Sequence, residues 1–378
     1  GFLAGSKYYG LFFVLAFGVT IFFSRSWLRN SFVYIIFVLV AGSQWYLWNW
    51  TNTGDPVFPV LYEFLGLENT EFWNDHHNSE RKKFSKYELP VNANLLWYFL
   101  YPFRATIYGL EQFDSQRLGL GLYPLLILPF AIYGAFLGKK KLVASELLVF
   151  VIVSCIFYSL WFFSETSQRV RHLLPLLPLV LICFTSAASL AFSAKQELRP
   201  VFFGIALIIV FQLGVQSVSS IKSFRYLLSS ETRDEFLSRT VTWYEPVRWI
   251  NKNLEKSDHV LSEMRWYSYI LAPRHYYGHP NYQAQVNLLP DKFDFGQFVS
   301  QIKKLEITHI ISSPVADQIK STRPLDIYLN RLTAKGCTEA LNKFSLRYIP
   351  SRTFWFNKNP NKVTVVLYKL KLKRCGIT

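Results

Sequence analysis

Arg169, Arg171 and His172 crowd into four residues at the mouth of an apolar run, LLPLLPLVLI (173–182). A guanidinium grips a phosphate through two parallel N–H bonds, and the first turn of a helix adds unpaired amides. A lipid phosphate would find both here. Arginines that only anchor a helix end by snorkelling would look the same in sequence. Pro175 and Pro178 would loosen the first turns and hold the mouth open. Lys7, in apolar surroundings, reads in the same two ways, as a phosphate contact or a snorkelling residue. A second group, Asp75, His76 and His77 with Glu80, could act as acid and base or hold a divalent metal. Its spacing lacks the two-ligands-on-one-face pattern of a dedicated zinc site, and adjacent histidines also occur as plain polar loop residues.

Membrane helices are the elements that would position these groups. The chain of 378 residues is 51% apolar and 18% aromatic, yet its formal charge is +16. Greasy and basic together suggest a membrane protein that meets anionic lipid or phosphate. Apolar stretches of about spanning length run over 8–23, 31–47, 120–138, 142–163, 173–192 and 201–216. The short connections carry Arg25, Arg29, Lys139, Lys140, Lys141, Lys195 and Arg199 against one acid, Glu197. The long connection 48–119 carries nine acids and six bases, so the positive-inside rule puts the basic turns in the cytoplasm. Six crossings then alternate, with residues 217–378 outside. In 94–110 the apolar residues at 95, 96, 99, 100, 103, 107 and 110 follow helical spacing. That pattern predicts an amphipathic helix lying along the outer interface.

The expected architecture is therefore mainly α: a polytopic transmembrane bundle over 1–216, with the outer loop 48–119, then a small α/β domain over 217–378. The periodicity predicts a helix over 245–256, a strand over 259–262, helix then strand over 295–313, and a closing strand over 362–373. This second part holds 25 Lys and Arg against 13 Asp and Glu, either a solvated basic surface or a face held against anionic headgroups. It shows no Gly-rich RNA-binding motif, and no nucleic-acid partner is expected. Cys155 and Cys183 lie in apolar runs as packing residues, no CxxC pair exists, and Cys337 and Cys375 could pair in an oxidising space.

Three stretches, GFLAGSKYYGLFFVLAF (1–17), SQWYLWNWTNTGDPVFPVLY (43–62) and QRVRHLLPLLPLVLI (168–182), occur in one order and spacing. Together they resemble the latter part of the bacterial polytopic glycosyltransferases related to protein mannosyltransferases, aminoarabinose transferases and rhizobial galacturonosyltransferases. Those enzymes have the GT-C architecture. The resemblance implies transfer of a sugar from a polyprenyl-phosphate donor to a glycan, lipid or protein acceptor on the outer face of a bacterial inner membrane. It casts Lys7, Asp55, Arg169, Arg171 and His172 as substrate-binding residues, with the Gly54-Asp55-Pro56 turn in the wall of an outward-facing cavity. Trp48, Asp55 and His172 depart from the family's Arg, Asn and Tyr at those places. The family's catalytic carboxylate lies upstream of anything in this sequence. A chain that opens on Gly1 with no signal-peptide layout fits a fragment, expected to be inactive alone unless Asp75 or His76 supplies the base. The rival reading is a non-catalytic transporter or scaffold for lipid-linked anionic glycans. A transporter would place polar groups at mid-depth in several helices and show an inverted repeat.

Overall fold

The computed structural model describes residues 1–68, 73–107, 120–138, 146–164, 167–241, 243–279, 284–288, 294–312, 324–347 and 362–372. Two compact units divide the chain: Gly1–Asn69 with Lys82–Val218, and Thr70–Arg81 with Ser219–Thr378. The first is helical and the second carries a mixed sheet.

In chain order the helices up to residue 228 are α1 (Phe2–Ser6), α2 (Tyr9–Ile21), α3 (Trp27–Thr53), α4 (Asp75–Tyr87), α5 (Leu95–Ile107), α6 (Leu122–Leu137), α7 (Leu147–Phe163), α8 (Leu177–Ala194) and α9 (Arg199–Leu228), of which α4 and α9 each have residues in both units. Each apolar stretch of the sequence falls on one of these helices. Among the described residues, three helical segments are long and apolar enough to cross a membrane: α3, α8 and Gln196–Gly214, which runs into α9. Their side chains point largely away from protein. Phe37 and Val40 on α3 are each 68% exposed, and Phe211 on α9 is 72% exposed. Water would penalise such surfaces at every residue, whereas lipid tails would not. The basic turn at Lys139, Lys140 and Lys141 lies outside the described residues.

Helices that both face lipid gain little from apolar contact and associate by close packing of small residues. This chain follows that rule. Gly134, near the end of α6, faces Ala187 and Ala191 of α8, and Gly138, just after α6, faces Leu190. A Cβ on Gly134 would stand 1.9 Å from the Ala187 carbonyl oxygen. The first turn of the chain meets α3 in the same way, with Gly42 against the Gly1 backbone. Hydroxyls complete these contacts, for Tyr34 of α3 donates to the Val14 carbonyl at 3.0 Å and Tyr46 to Ala4 at 2.5 Å.

Within 94–110 the expected helix forms as α5 over Leu95–Ile107, residues 108–110 lying outside the described ones, but its two faces divide differently from the hydropathy pattern. Leu95, Leu96, Phe99, Leu100, Phe103 and Ile107 are exposed, while Tyr101, Ala105 and Thr106 are buried. The packing face is aromatic. Tyr101 lies edge-on to Trp161 of α7, and Tyr158 donates to the Tyr98 carbonyl at 2.8 Å.

The second unit contains helices α10 (Arg233–Thr240), α11 (Tyr244–Asn253), α12 (Phe295–Lys304) and α13 (Pro324–Ala334). Its strands are β1 (His259–Ser262), β2 (Arg274–His279), β3 (Val286–Asn287), β4 (His309–Ser312), β5 (Thr338–Arg347) and β6 (Lys362–Leu370). Their order is β3-β2-β1-β4-β6-β5, parallel through β4 and antiparallel at β6 and β5. Burial on both faces explains the short apolar runs of β1 and β4. Phe298 and Ile302 of α12 pack with Leu261 and Ile310 on one side, and Val247 and Ile250 of α11 with Val260 and Ile311 on the other. Thr232 and Glu235 cap α10 reciprocally, and Asp294 caps α12. Cys337 is disulfide-bonded, Cys155 and Cys183 are free, and Cys375 lies outside the described residues.

Gly134→Leu should separate α6 from α8 and cost about 1–3 kcal/mol of stability by overpacking, read as a lower unfolding midpoint in a detergent titration. A midpoint equal to wild type would mean that the close approach does not hold this pair together.

Candidate functional site

The segment that carries the basic cluster is not helical. Val170–Leu173 form a 3-10 turn, and α8 starts at Leu177 rather than at 173. Pro175 and Pro178 account for the delay, since each lacks an amide donor and is tolerated only in a first turn or ahead of it. The free amides of α8 therefore lie a full turn beyond His172. The site rests on side chains and not on a helix mouth.

Neighbouring backbone and side chains clamp residues 167–169. The Gln168 amide donates to the Glu88 carbonyl at 3.1 Å, and the Val91 amide donates to Gln168 Oε1 at 3.3 Å. Tyr101 donates its hydroxyl to the Gln168 carbonyl. Arg169 meets the Glu88 carboxylate at 2.5 Å and lies over the Phe84 ring. Arg169 thus holds the segment in place, and it does not line the cavity described next. Glu88 and Gln168 have no spacing signal in the sequence that would have marked them.

Lys7, Tyr9, Phe157, Arg171, His172 and Pro175 surround a cavity of about 30 Å³. Three residues picked from the sequence as phosphate contacts thus come together from two distant segments. Lys7 and Arg171 are exposed at its rim, while His172 is only 9% exposed. Tyr9 stacks on the imidazole at 4.3 Å between ring centroids. His172 is hydrogen-bonded to the Ser167 backbone, and its Nδ1 is buried without a partner among the described residues. Burial first, and then the charge of Lys7, push its pKa down to about 4, with Arg171 and Arg169 adding to the effect. The imidazole is neutral at physiological pH.

Asp55 lies elsewhere in this unit and is fully buried. Its Oδ1 accepts from the Val57 amide at 2.8 Å and its Oδ2 from the Leu61 amide at 2.9 Å. Gly54, at φ 76°, ends α3 in the left-handed conformation that glycine takes without strain. The resulting knot holds Tyr8, whose hydroxyl donates to the Phe58 carbonyl at 2.5 Å and accepts from Asn49 at 3.2 Å. Asp55 therefore acts next to Lys7 by positioning, through the adjacent Tyr8, rather than by facing the cavity.

Asp75, His76 and His77 belong to the second unit and open α4, a helix where the sequence suggested a loop. His77 stacks on Trp73 at 5.6 Å and its Nδ1 meets Asn74 Oδ1 at 2.9 Å. Burial, then the neighbouring His76, lower its pKa. Among the described residues no three His, Cys, Asp or Glu side chains form a group that could hold a metal ion. No family model, curated protein or solved structure matches the chain.

With a native pKa near 4 against about 6.5 in the unfolded chain, His172 makes stability fall as pH drops between those values. The unfolded chain takes a proton there that the native state refuses. His172→Phe should flatten this acid-side loss, measured as unfolding midpoint against pH in detergent. An unchanged slope in the variant would remove His172 from the account.

Proposed function

We propose that the protein is a membrane glycosyltransferase of GT-C type that moves a sugar from a polyprenyl-phosphate donor to an acceptor at the outer face of the membrane. The observation that carries this reading is the convergence of Lys7, Arg171 and His172 on one cavity between apolar helices. A donor of this kind places a phosphate at the membrane surface with its chain in lipid. Two exposed cations beside a lipid-facing bundle suit both halves of that molecule. In the transfer step negative charge develops on the leaving phosphate as its bond to the sugar carbon breaks. Cations held there would favour the transition state over the ground state. The stretches that resemble these transferases contain Lys7, Arg171 and His172, and the Asp55 knot next to Lys7.

The basic turns at Arg25, Arg29, Lys195 and Arg199 support a cytoplasmic side for those connections and, with it, an extracytoplasmic side for residues 217–378. A reporter fused after Thr378 should work only in its extracytoplasmic form. Activity of a cytoplasmic reporter there would invert the topology.

Arg171 gives the sharpest test of function. Arg171→Ala should weaken binding of a polyprenyl-phosphate sugar about ten-fold or more, since a charge-assisted hydrogen bond contributes roughly 1.5–3 kcal/mol. Arg171→Lys should not restore it, because a point charge cannot reproduce the planar fork. Wild-type donor affinity and transfer rate in Arg171→Lys would assign the arginine to membrane anchoring.

A further inference from the structure

The cavity asks for more than an anion. His172 is hydrogen-bonded to the Ser167 backbone, and its Nδ1 is buried without a partner among the described residues. A neutral imidazole with its hydrogen on the other ring nitrogen leaves Nδ1 as a lone pair. A buried acceptor without a donor costs free energy that a ligand hydroxyl would recover. Among the described residues, the charged groups around the ring are Lys7, ahead of α2, and Arg169 and Arg171 from its own segment, with Arg169 taken up by Glu88. Tyr9 and Phe157 supply the uncharged walls. The three cations oppose protonation of the ring, so it remains an acceptor.

The cavity is small, about 30 Å³, and both cations stand exposed at its rim. We propose that His172 Nδ1 accepts a hydrogen bond from the P–OH of a singly protonated phosphomonoester whose charged oxygens rest on Lys7 and Arg171. This inference rests on the phosphate reading above and specifies the ionic form that is bound. Nδ1 itself is buried, so binding has to open the small cavity that His172 lines. A polyprenyl-phosphate sugar is a diester and has no P–OH. The released carrier is a monoester and has one when protonated. In the net transfer, the sugar–oxygen bond to phosphate breaks, the bond to the acceptor oxygen forms, and the acceptor's proton ends on the phosphate. The site thus selects the carrier as it stands after transfer.

The test is binding of farnesyl phosphate and of its methyl diester to the full chain in detergent, by calorimetry from pH 5.5 to 8.5. A phosphomonoester loses its second proton near pH 6. Farnesyl phosphate should bind most tightly in acid and weaken about ten-fold per pH unit above 7. The methyl diester should bind at least ten-fold more weakly at pH 5.5 and show no pH dependence. His172→Asn, whose amide can turn either its oxygen or its NH2 to the ligand, should bind farnesyl phosphate with the slope lost. Affinity that instead rises as the dianion forms would overturn the proposal and leave a plain cation site. Equal affinity for the two esters would do the same. Binding of neither ester would remove the phosphate reading itself. Inorganic phosphate binding as tightly as farnesyl phosphate would assign the site to the free anion and overturn the lipid source.

Discussion

Backbone that is not helical must still satisfy its amides and carbonyls, and beside a bilayer there is little water to do it. Residues 167–176, between α7 and α8, face that constraint most sharply. Side chains from elsewhere in the unit resolve it: the Tyr101 hydroxyl serves the Gln168 carbonyl, and the Gln168 side chain serves the Val91 amide. The partly buried Arg169–Glu88 pair closes the clamp. With these contacts made, the 3-10 turn has one position, and Arg171 and His172 face Lys7. A buried ion pair of this sort is weak evidence of stability, since desolvation offsets much of its attraction. Its role here is better described as fixing register.

The same economy explains why Asp55 matters without touching the cavity. Both of its oxygens are spent on backbone amides of the turn that follows α3. The turn then presents the Phe58 carbonyl to Tyr8, the residue between Lys7 and Tyr9. One rim cation is therefore set by a knot of backbone 50 residues away in the chain, and the other by the clamp at Glu88.

How much of this the sequence disclosed depended on what kind of signal each feature leaves. Apolar length marked the helices, and alternation of short runs marked β1, β4 and β6. Hydropathy did not mark faces. In α5 the apolar stripe at 95, 96, 99, 100 and 103 faces outward, and the inward face is built from Tyr98, Tyr101 and Ala105. In a protein solvated by lipid, the core and the exterior are alike apolar, so periodicity finds the stripe without saying which way it points. Small residues were the better guide to packing, because Gly134 and Ala187 touch only where backbones come close. The basic cluster was legible by residue type, yet the division of labour inside it was not. Arg169 and Arg171 are two residues apart and do different things, because the partner that separates them, Glu88, is 81 positions upstream of Arg169 and carries no motif.

His172 shows why residue type alone underdetermines the chemistry. A histidine beside two arginines and a lysine reads at first as a fourth cation. Burial reverses this, because each nearby positive charge makes the ring harder to protonate, and Lys7 contributes most among them. The cavity thus has a cationic rim and an uncharged imidazole in its wall, whose Nδ1 is without a partner among the described residues. A tyrosine at this position would offer a hydroxyl that donates as readily as it accepts. Histidine here keeps an aromatic ring beside Tyr9, 4.3 Å between centroids, and offers Nδ1 as an acceptor, so the ligand proposed above brings its own proton.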